Sequence, residues 1–341
     1  MNPLTQSKKT IIRPLLVALA LACFALSLGI AWGQSRTDLQ TKQRGILGLN
    51  NLLGLRPVQR PIAQSSKELQ QDAVALGLAT STVYKFATAD YPGASQSIVF
   101  DNEGGTAIGT FVFDPSTSPL TAFTFHAGVY EILSVPNSLA SILTGINGSG
   151  QLVGAYADLA SVVHGFLDNA GTFSDIDFPS ATDTEAFDIN DSGQIVGVYI
   201  DLLSDSHGFL DNGGVFTSID FPGADSTTAA GINSAGDIVG VWQDAAFNSH
   251  GFLLRGGVFT TFDFPLATGT TAFGINDSGD IAGFFIDAGS VAHGFIFSRG
   301  AFTQVDVAGA TDTQLTRINN KGQLAGVFTD VLTGQHGLTA H

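Results

Sequence analysis

A single cysteine, Cys23, occurs in 341 residues, and it lies in an apolar run near the N-terminus. These residues form no internal disulfide, and past Cys23 no thiolate is available as nucleophile or metal ligand. The fold must hold by packing and strand pairing. Positive charge is also scarce. From Lys85 onward only Lys85, Arg255, Arg299, Arg317 and Lys321 are basic, against 27 acidic residues. A phosphate backbone needs Lys and Arg to neutralise it, so this balance argues against nucleic acid as a partner, and anionic membrane surfaces would be repelled. Gly-x-Ser-x-Gly, His-Glu-x-x-His and the phosphate loop are all missing. What remains is rich in Gly and Phe and poor in charge. That composition suits many short strands joined by tight turns.

The N-terminal 33 residues have the layout of an export signal. Lys8, Lys9 and Arg13 precede an apolar run from Pro14 to Trp32, and Ala31-Trp32-Gly33 offers small residues where a signal peptidase reads, before Gln34. The alternative is an uncleaved anchor, since the run is long enough to span a bilayer. The expected location is secreted, periplasmic or cell-surface, with no membrane association beyond this segment. Residues 34–80 form a linker that holds Arg36, Lys42, Arg44, Arg56, Arg60 and Lys67 around an apolar, Gly-rich stretch from Gly45 to Leu55. Ser65-Ser66-Lys67-Glu68 reads as a capping box opening a short helix with Leu69, Ala73 and Leu76 on one face. The plain reading is a tether; a basic tether could also touch the acidic domain or the cell envelope.

Residues 81–341 are governed by a repeat. His164, His207, His250, His293 and His336 are each 43 residues apart, and Asn147, Asn190, Asn233, Asn276 and Asn319 keep the same interval. So do Asp158, Asp201, Asp244, Asp287 and Asp330. Each unit holds four apolar runs of strand length and two tight turns, such as Asn276-Asp277-Ser278-Gly279 and Arg255-Gly256-Gly257, whose Asn, Asp and Gly supply positive φ. Four strands in about 40 residues is one propeller blade. A lone blade leaves both faces unburied, so blades must stack in a ring. The expected strands of one unit are Thr271–Asn276, Ile281–Ile286, His293–Phe297 and Ala301–Val307. The last unit runs out after its third strand, at His336-Gly337-Leu338. The missing fourth strand appears at the other end, where Phe86 to Ala94 matches Phe216 to Ala224 in residue type. The expected fold is all-β: a six-bladed β-propeller of four-stranded blades, closed by an N-terminal outer strand in the last blade. The unit at 95–136 is degenerate, with Thr121-Ala122-Phe123 in place of His-Gly-Phe.

The His-Gly-Phe-Leu, Phe-Pro-Gly-Ala and Gly-Ile-Asn-Asp-Ser-Gly pieces resemble the HAF-type extracellular repeats of bacterial exported proteins, over about residues 82–341. The unit also resembles WD-repeat layout without the Trp-Asp dipeptide. The resemblance implies an exported protein and no particular reaction; the chain departs from it by having Gly where the family name has Ala.

The periodic His164, His207, His250, His293 and His336, with Asp158, Asp201, Asp244, Asp287 and Asp330, fall on the face formed by the loops after second and fourth strands, the usual ligand face of a propeller. They are candidate binding residues or metal ligands. A structural device repeats while a functional site breaks symmetry, so the favoured reading has each His fastening one loop to the other. The aromatic series Phe111, Tyr156, Tyr199, Trp242, Phe285 and Phe328 could stack on sugars but reads as core. Bound calcium is the one cofactor the density of Asp admits, yet no Asp-x-Asp-x-Asp-Gly loop occurs, and Asp188-Ile-Asn190-Asp191-Ser-Gly193 reads as a hairpin turn. No catalytic residue is assigned. Glu131, Glu185, Arg317 and Lys321 depart from the repeat without evident convergence.

Three functions remain open: a monomeric binding or surface module for an extracellular glycan or protein, a hydrolase or lyase with a site on the propeller axis, and a structural envelope protein.

Overall fold

The computed structural model describes residues 71–74, 83–331 and 334–341. The expected export signal and most of the linker lie outside these residues. Among the described residues there are only strands, turns and loops. They build six antiparallel sheets, each of four strands, with one further edge strand. Blade one comprises Gln96–Glu103, Thr106–Val112, Thr121–His126 and Val129–Ile132. Blade two is Ala140–Ile146, Leu152–Ala157, Val163–Asn169 and Thr172–Ile176, and blade three Asp183–Ile189, Gln194–Ile200, Ser206–Asn212 and Phe216–Ile219. Blade four is Ser226–Ile232, Ile238–Gln243, Ser249–Arg255 and Val258–Phe262, and blade five Gly269–Ile275, Ile281–Ile286, Ala292–Ser298 and Ala301–Val305.

Blade six joins the two ends of the domain. Asp312–Ile318, Leu324–Asp330 and Gly334–Ala340 pair in that order, and Val83–Thr88 adds as the fourth strand, with Phe86 opposite Ala340 and Thr88 opposite Leu338. The closure expected from the unmatched Phe86–Ala94 segment is thus present. Gln71–Val74 then pairs outside Val83–Thr88, with Gln71 opposite Phe86 and Val74 opposite Val83. This corrects the helix expected to run through Ala73. An outer strand exposes a row of unpaired N–H and C=O groups, and pairing there satisfies backbone that a short surface helix would leave to water. The capping box at Ser65–Glu68 and Leu76 fall outside the described residues.

Every inner strand carries a register irregularity at one place, between Leu143 and Gly145 in blade two and Ala229 and Gly231 in blade four, for example. The second strand answers it with glycine. A Cβ on Gly240 would lie 2.0 Å from the Thr228 carbonyl oxygen, and one on Gly197 2.0 Å from that of Glu185. Two residues further on stands the aromatic of the series, and it is core. Phe178 stacks on Tyr199 at 3.7 Å between ring centres, Phe221 on Trp242 at 4.2 Å and Phe264 on Phe285 at 3.6 Å. Each pair joins the end of one blade to the second strand of the next.

The periodic asparagines stitch the blades on the opposite face. Oδ1 of Asn190 accepts from Ser192 and Gln194 within its own hairpin turn, while Nδ2 donates to the Asn233 carbonyl of the next blade at 3.0 Å. Asn147, Asn233 and Asn276 repeat the link, and Asn319 carries it across the closing seam to the Asn102 carbonyl at 3.2 Å. The Asn-Asp-Ser-Gly segment is the hairpin turn expected of it.

Candidate functional site

Two constellations deserve weighing: a repeated one on the loop face and an unrepeated one on the axis. In the first, each periodic His sits between two carboxylates. His207 Nδ1 faces Asp220 at 2.8 Å and Nε2 faces Asp201 at 3.7 Å. The pattern holds for His164 with Asp177 and Asp158, His250 with Asp263 and Asp244, and His293 with Asp306 and Asp287. In blade six, His336 meets Asp330 and, across the seam, Asp90 at 2.7 Å. The imidazole also stacks on the series aromatic, with Trp242 and His250 centred 4.5 Å apart. The sequence places the first Asp of each pair but leaves the second unassigned. Its signal is an Asp 13 residues after each His in blades two to five, followed by Phe-Pro in blades two to four.

The loop carboxylates are committed to backbone. Asp201 Oδ1 accepts from the N–H groups of Leu203 and Asp205, and Asp158, Asp244 and Asp287 do the same in their loops. These bonds hold the carboxyls of Asp201, Asp158 and Asp287 below the ordinary range, the N–H groups of Asp205, Val162 and Val291 contributing most, and at Asp244 the Asn248 side chain leads. Each carboxylate therefore has one oxygen on its loop and the other toward the His. Among the described residues no group of three or more His, Cys, Asp or Glu is arranged to hold a metal ion. The repeated His and Asp staple the loop after the second strand to the segment after the fourth.

On the axis the symmetry breaks. The residue just past the inner-strand irregularity is Gly145, Gly231 and Gly274 in blades two, four and five, but Asp101, Asp188 and Arg317 in blades one, three and six. Arg317 reaches across the ring. Its guanidinium donates to Asp188 Oδ2 at 2.9 Å and to the carbonyls of Phe273, Thr144 and Phe187, and its Nε faces Asp101 Oδ2 at 3.4 Å. The two aspartates collect inward N–H groups. Asp101 accepts from Asn102 and Ile146, and Asp188 from Ile189 and Ile232. The irregular inner strands turn these N–H and C=O groups toward the axis, where unpaired they would be costly. All three side chains are buried. Burial pushes the Asp188 carboxyl up to about 7, against the pull of Arg317, and raises Asp101 in the same way. Arg317 thus converges with Asp101 and Asp188, two acids that the sequence reading did not mark as departures from the repeat. Of the nitrogen and oxygen atoms of these three side chains, Arg317 Nε alone lacks a hydrogen-bond partner among the described residues, facing Asp101 Oδ2 at 3.4 Å.

A third feature lies on the loop face and was not foreseen. In blades two to five the loop after the second strand has a left-handed residue, which is Ser161, Ser204 and Ser290 in blades two, three and five but Phe247 in blade four. The turn after each fourth strand also has a left-handed residue, which is Gly93, Gly223 and Gly309 at three positions, Asn137 after blade one and Ser180 after blade two, but Leu266 after blade four. A non-glycine side chain in that region costs about 1–2 kcal/mol. Both stay exposed, Leu266 at 98% and Phe247 at 44%. His250 brings their loops together, because it bridges Asp244, three residues before Phe247, to Asp263, three before Leu266. Leu202 and Leu203 stand exposed on the adjacent blade-three loop. Of the described Lys and Arg, Arg299 and Lys321 lie in turns of the opposite face, Arg255 at a strand end beside them, Lys85 on an outer strand and Arg317 on the axis. The loop face thus couples exposed apolar side chains with carboxylates, and described Lys and Arg lie away from it.

No protein-family model and no curated protein matches the chain. The resemblance to HAF-type repeats therefore rests on the repeated motifs. Solved structures similar to the chain include AofleA from Arthrobotrys oligospora, at 13% identity over 82% of this chain and 90% of that one, with a TM-score of 0.47. The fucose-recognising six-bladed lectin of Aleuria aurantia matches at 11% identity over 74% and 93%, TM-score 0.47. TolB from Acinetobacter baumannii matches at 11% over 71% and 65%, TM-score 0.49. At this distance the likeness says nothing of a ligand.

Proposed function

We propose that the chain is a non-catalytic binding module whose loop face docks a partner at blade four, around Phe247 and Leu266. One observation carries the reading. Two bulky apolar side chains are held exposed in left-handed backbone slots where the corresponding left-handed residues of other blades are Ser, Asn or Gly, and exposed apolar groups placed on such backbone mark a site under functional demand. The carboxylates around them would favour a partner that brings positive charge together with apolar groups. The periodic His and Asp shape this face by fixing its loops, and the axial Arg317, Asp101 and Asp188, buried and facing one another, support binding over an axial hydrolase or lyase.

The test separates binding from stability. Phe247→Ser and Leu266→Gly restore residue types found in other blades; Leu266→Gly should raise stability by about 1 kcal/mol as the left-handed strain is relieved, while Phe247→Ser keeps a Cβ in the left-handed slot and should leave stability near the parent's. Binding to a panel of cationic peptides and glycans, measured by calorimetry, should weaken at least tenfold in the double variant. Equal affinities for the variant and the parent would overturn the site.

A further inference from the structure

We infer that the occupant of the blade-four loop face is the chain's own basic, apolar segment from Arg44 to Arg60, folded back in cis. The inference rests on the binding face proposed above and names what fills it. Three observations converge.

The first is charge. Nine of the fourteen Lys and Arg precede residue 71, and no Asp or Glu occurs between Asp38 and Glu68. The acidic and basic halves of the chain are separated as two partners would be, and opposite charge steers such an encounter. The second is apolar content. Ile46, Leu47, Leu49, Leu52, Leu53 and Leu55 lie between Arg44 and Arg56, interrupted only by Gly and Asn. An apolar run flanked by Arg matches a face where Phe247, Leu266, Leu202 and Leu203 stand among carboxylates.

The third is position and reach. Val83–Thr88 runs toward Asp90, which pairs with His336 on the loop face. Gln71–Val74 is antiparallel to it and starts opposite Phe86, so the chain enters Gln71 from the loop-face end of blade six. From Leu55 to Gln71 there are 15 intervening residues, which span up to about 50 Å when extended. Blade four is two blades away, and packed sheets are about 10 Å apart. The segment reaches the site from the correct face.

A photo-crosslinking residue placed at 247 or 266 of the full chain tests this, with linked peptides read by mass spectrometry. The expected result is a link to peptides within residues 44–60. Mixing isotopically heavy and light chains should leave the link within one isotope, and Arg44→Glu, Arg56→Glu and Arg60→Glu together should cut its yield about tenfold. Links that join heavy to light chains would overturn the cis assignment in favour of a second copy. Absence of links to 44–60, with cationic peptides or glycans still binding in a Phe247-dependent way, would overturn the occupant and leave the binding face standing. Absence of both would overturn the two together. A probe at Arg299, on the opposite face, should give no link to the segment, and a link there of equal yield would also overturn the inference.

Discussion

Asp188 and the loop aspartates respond to pH in opposite senses, because their surroundings move the carboxyl in opposite directions. At Asp158, Asp201, Asp244 and Asp287 the folded value lies below the unfolded one of 3.8. Their contribution is present above that value and is lost as pH falls through the folded one. At Asp188 burial raises the folded value to about 7. The native state then holds a proton the unfolded state has released, so its contribution is full below 3.8 and fades as pH rises toward 7. Stability should pass through a maximum on the acidic side of neutrality. Urea midpoints measured from about pH 2 to pH 8 should show this decline toward neutrality, and Asp188→Asn should shrink it while leaving the acid limb below about pH 4 in place. A parent whose midpoint rises steadily to pH 7 would contradict the assignment. The repeat marked Arg317 as a departure, and so did its neighbours in sequence, yet nothing in the spacing showed convergence. Residues 101, 188 and 317 come together only because the irregular inner strand aims one residue per blade at the axis, and that direction is a backbone property with no signature of its own.

At the scale of the strand, what could be read follows from periodicity and what could not follows from irregularity. The four strands expected of blade five agree with the structure to within two residues, because alternating apolar runs and Asn-Asp-Ser-Gly turns are local signals. The edge strand Gln71–Val74 was missed because its partner, Val83–Thr88, exposes pairing groups only after the ring has closed. The glycine of His-Gly-Phe also has a tertiary cause. A Cβ on Gly208 would come within 2.8 Å of the Ile219 carbonyl oxygen and 3.0 Å of the Ala229 amide nitrogen, so the Ala of the family motif is disfavoured there. Blade one tolerates Ala122 in the same slot, fully buried. The tightest glycines are those of the second strands. Gly240→Ala puts a methyl 2.0 Å from the Thr228 carbonyl, a backbone atom that yields only if the inner strand moves. The expected loss is about 3 kcal/mol, at the upper end for overpacking, read from the shift in denaturant midpoint. A loss below 0.5 kcal/mol would mean that the inner-strand irregularity is softer than it looks.

The whole molecule is a ring that covalent chain order leaves open by one strand. Without disulfides, the seam must be held by pairing and side chains, and several bonds converge there. Val83–Thr88 pairs with Gly334–Ala340, the Ala89 N–H donates to Gly337, and Asp90 holds both His336 and the Gly337 N–H. On the other side of blade six, Asn319 bonds the Asn102 carbonyl, Thr316 bonds the Val99 carbonyl, and Arg317 faces Asp101. Blade six is therefore the part of the domain in which the first and last described residues depend on each other. Deleting residues 81–94 removes the outer strand, the Asp90 anchor and the Tyr91 ring that stacks on Phe111 at 3.8 Å. It also uncovers an edge of Gly334–Ala340, which invites pairing with other chains. The loss should be global: one cooperative transition shifted to much lower denaturant, with aggregation on refolding. Deleting residues 34–64 removes none of these seam contacts, so the ring should still unfold in one cooperative transition, its midpoint lowered only by the loss of the segment docked on blade four. If the 81–94 deletion instead lost only local protection in hydrogen exchange at residues 334–340, with blades two to five unchanged, the ring would be stable open. The seam would then be a cover over one blade, and closure would not be the step on which the other five depend.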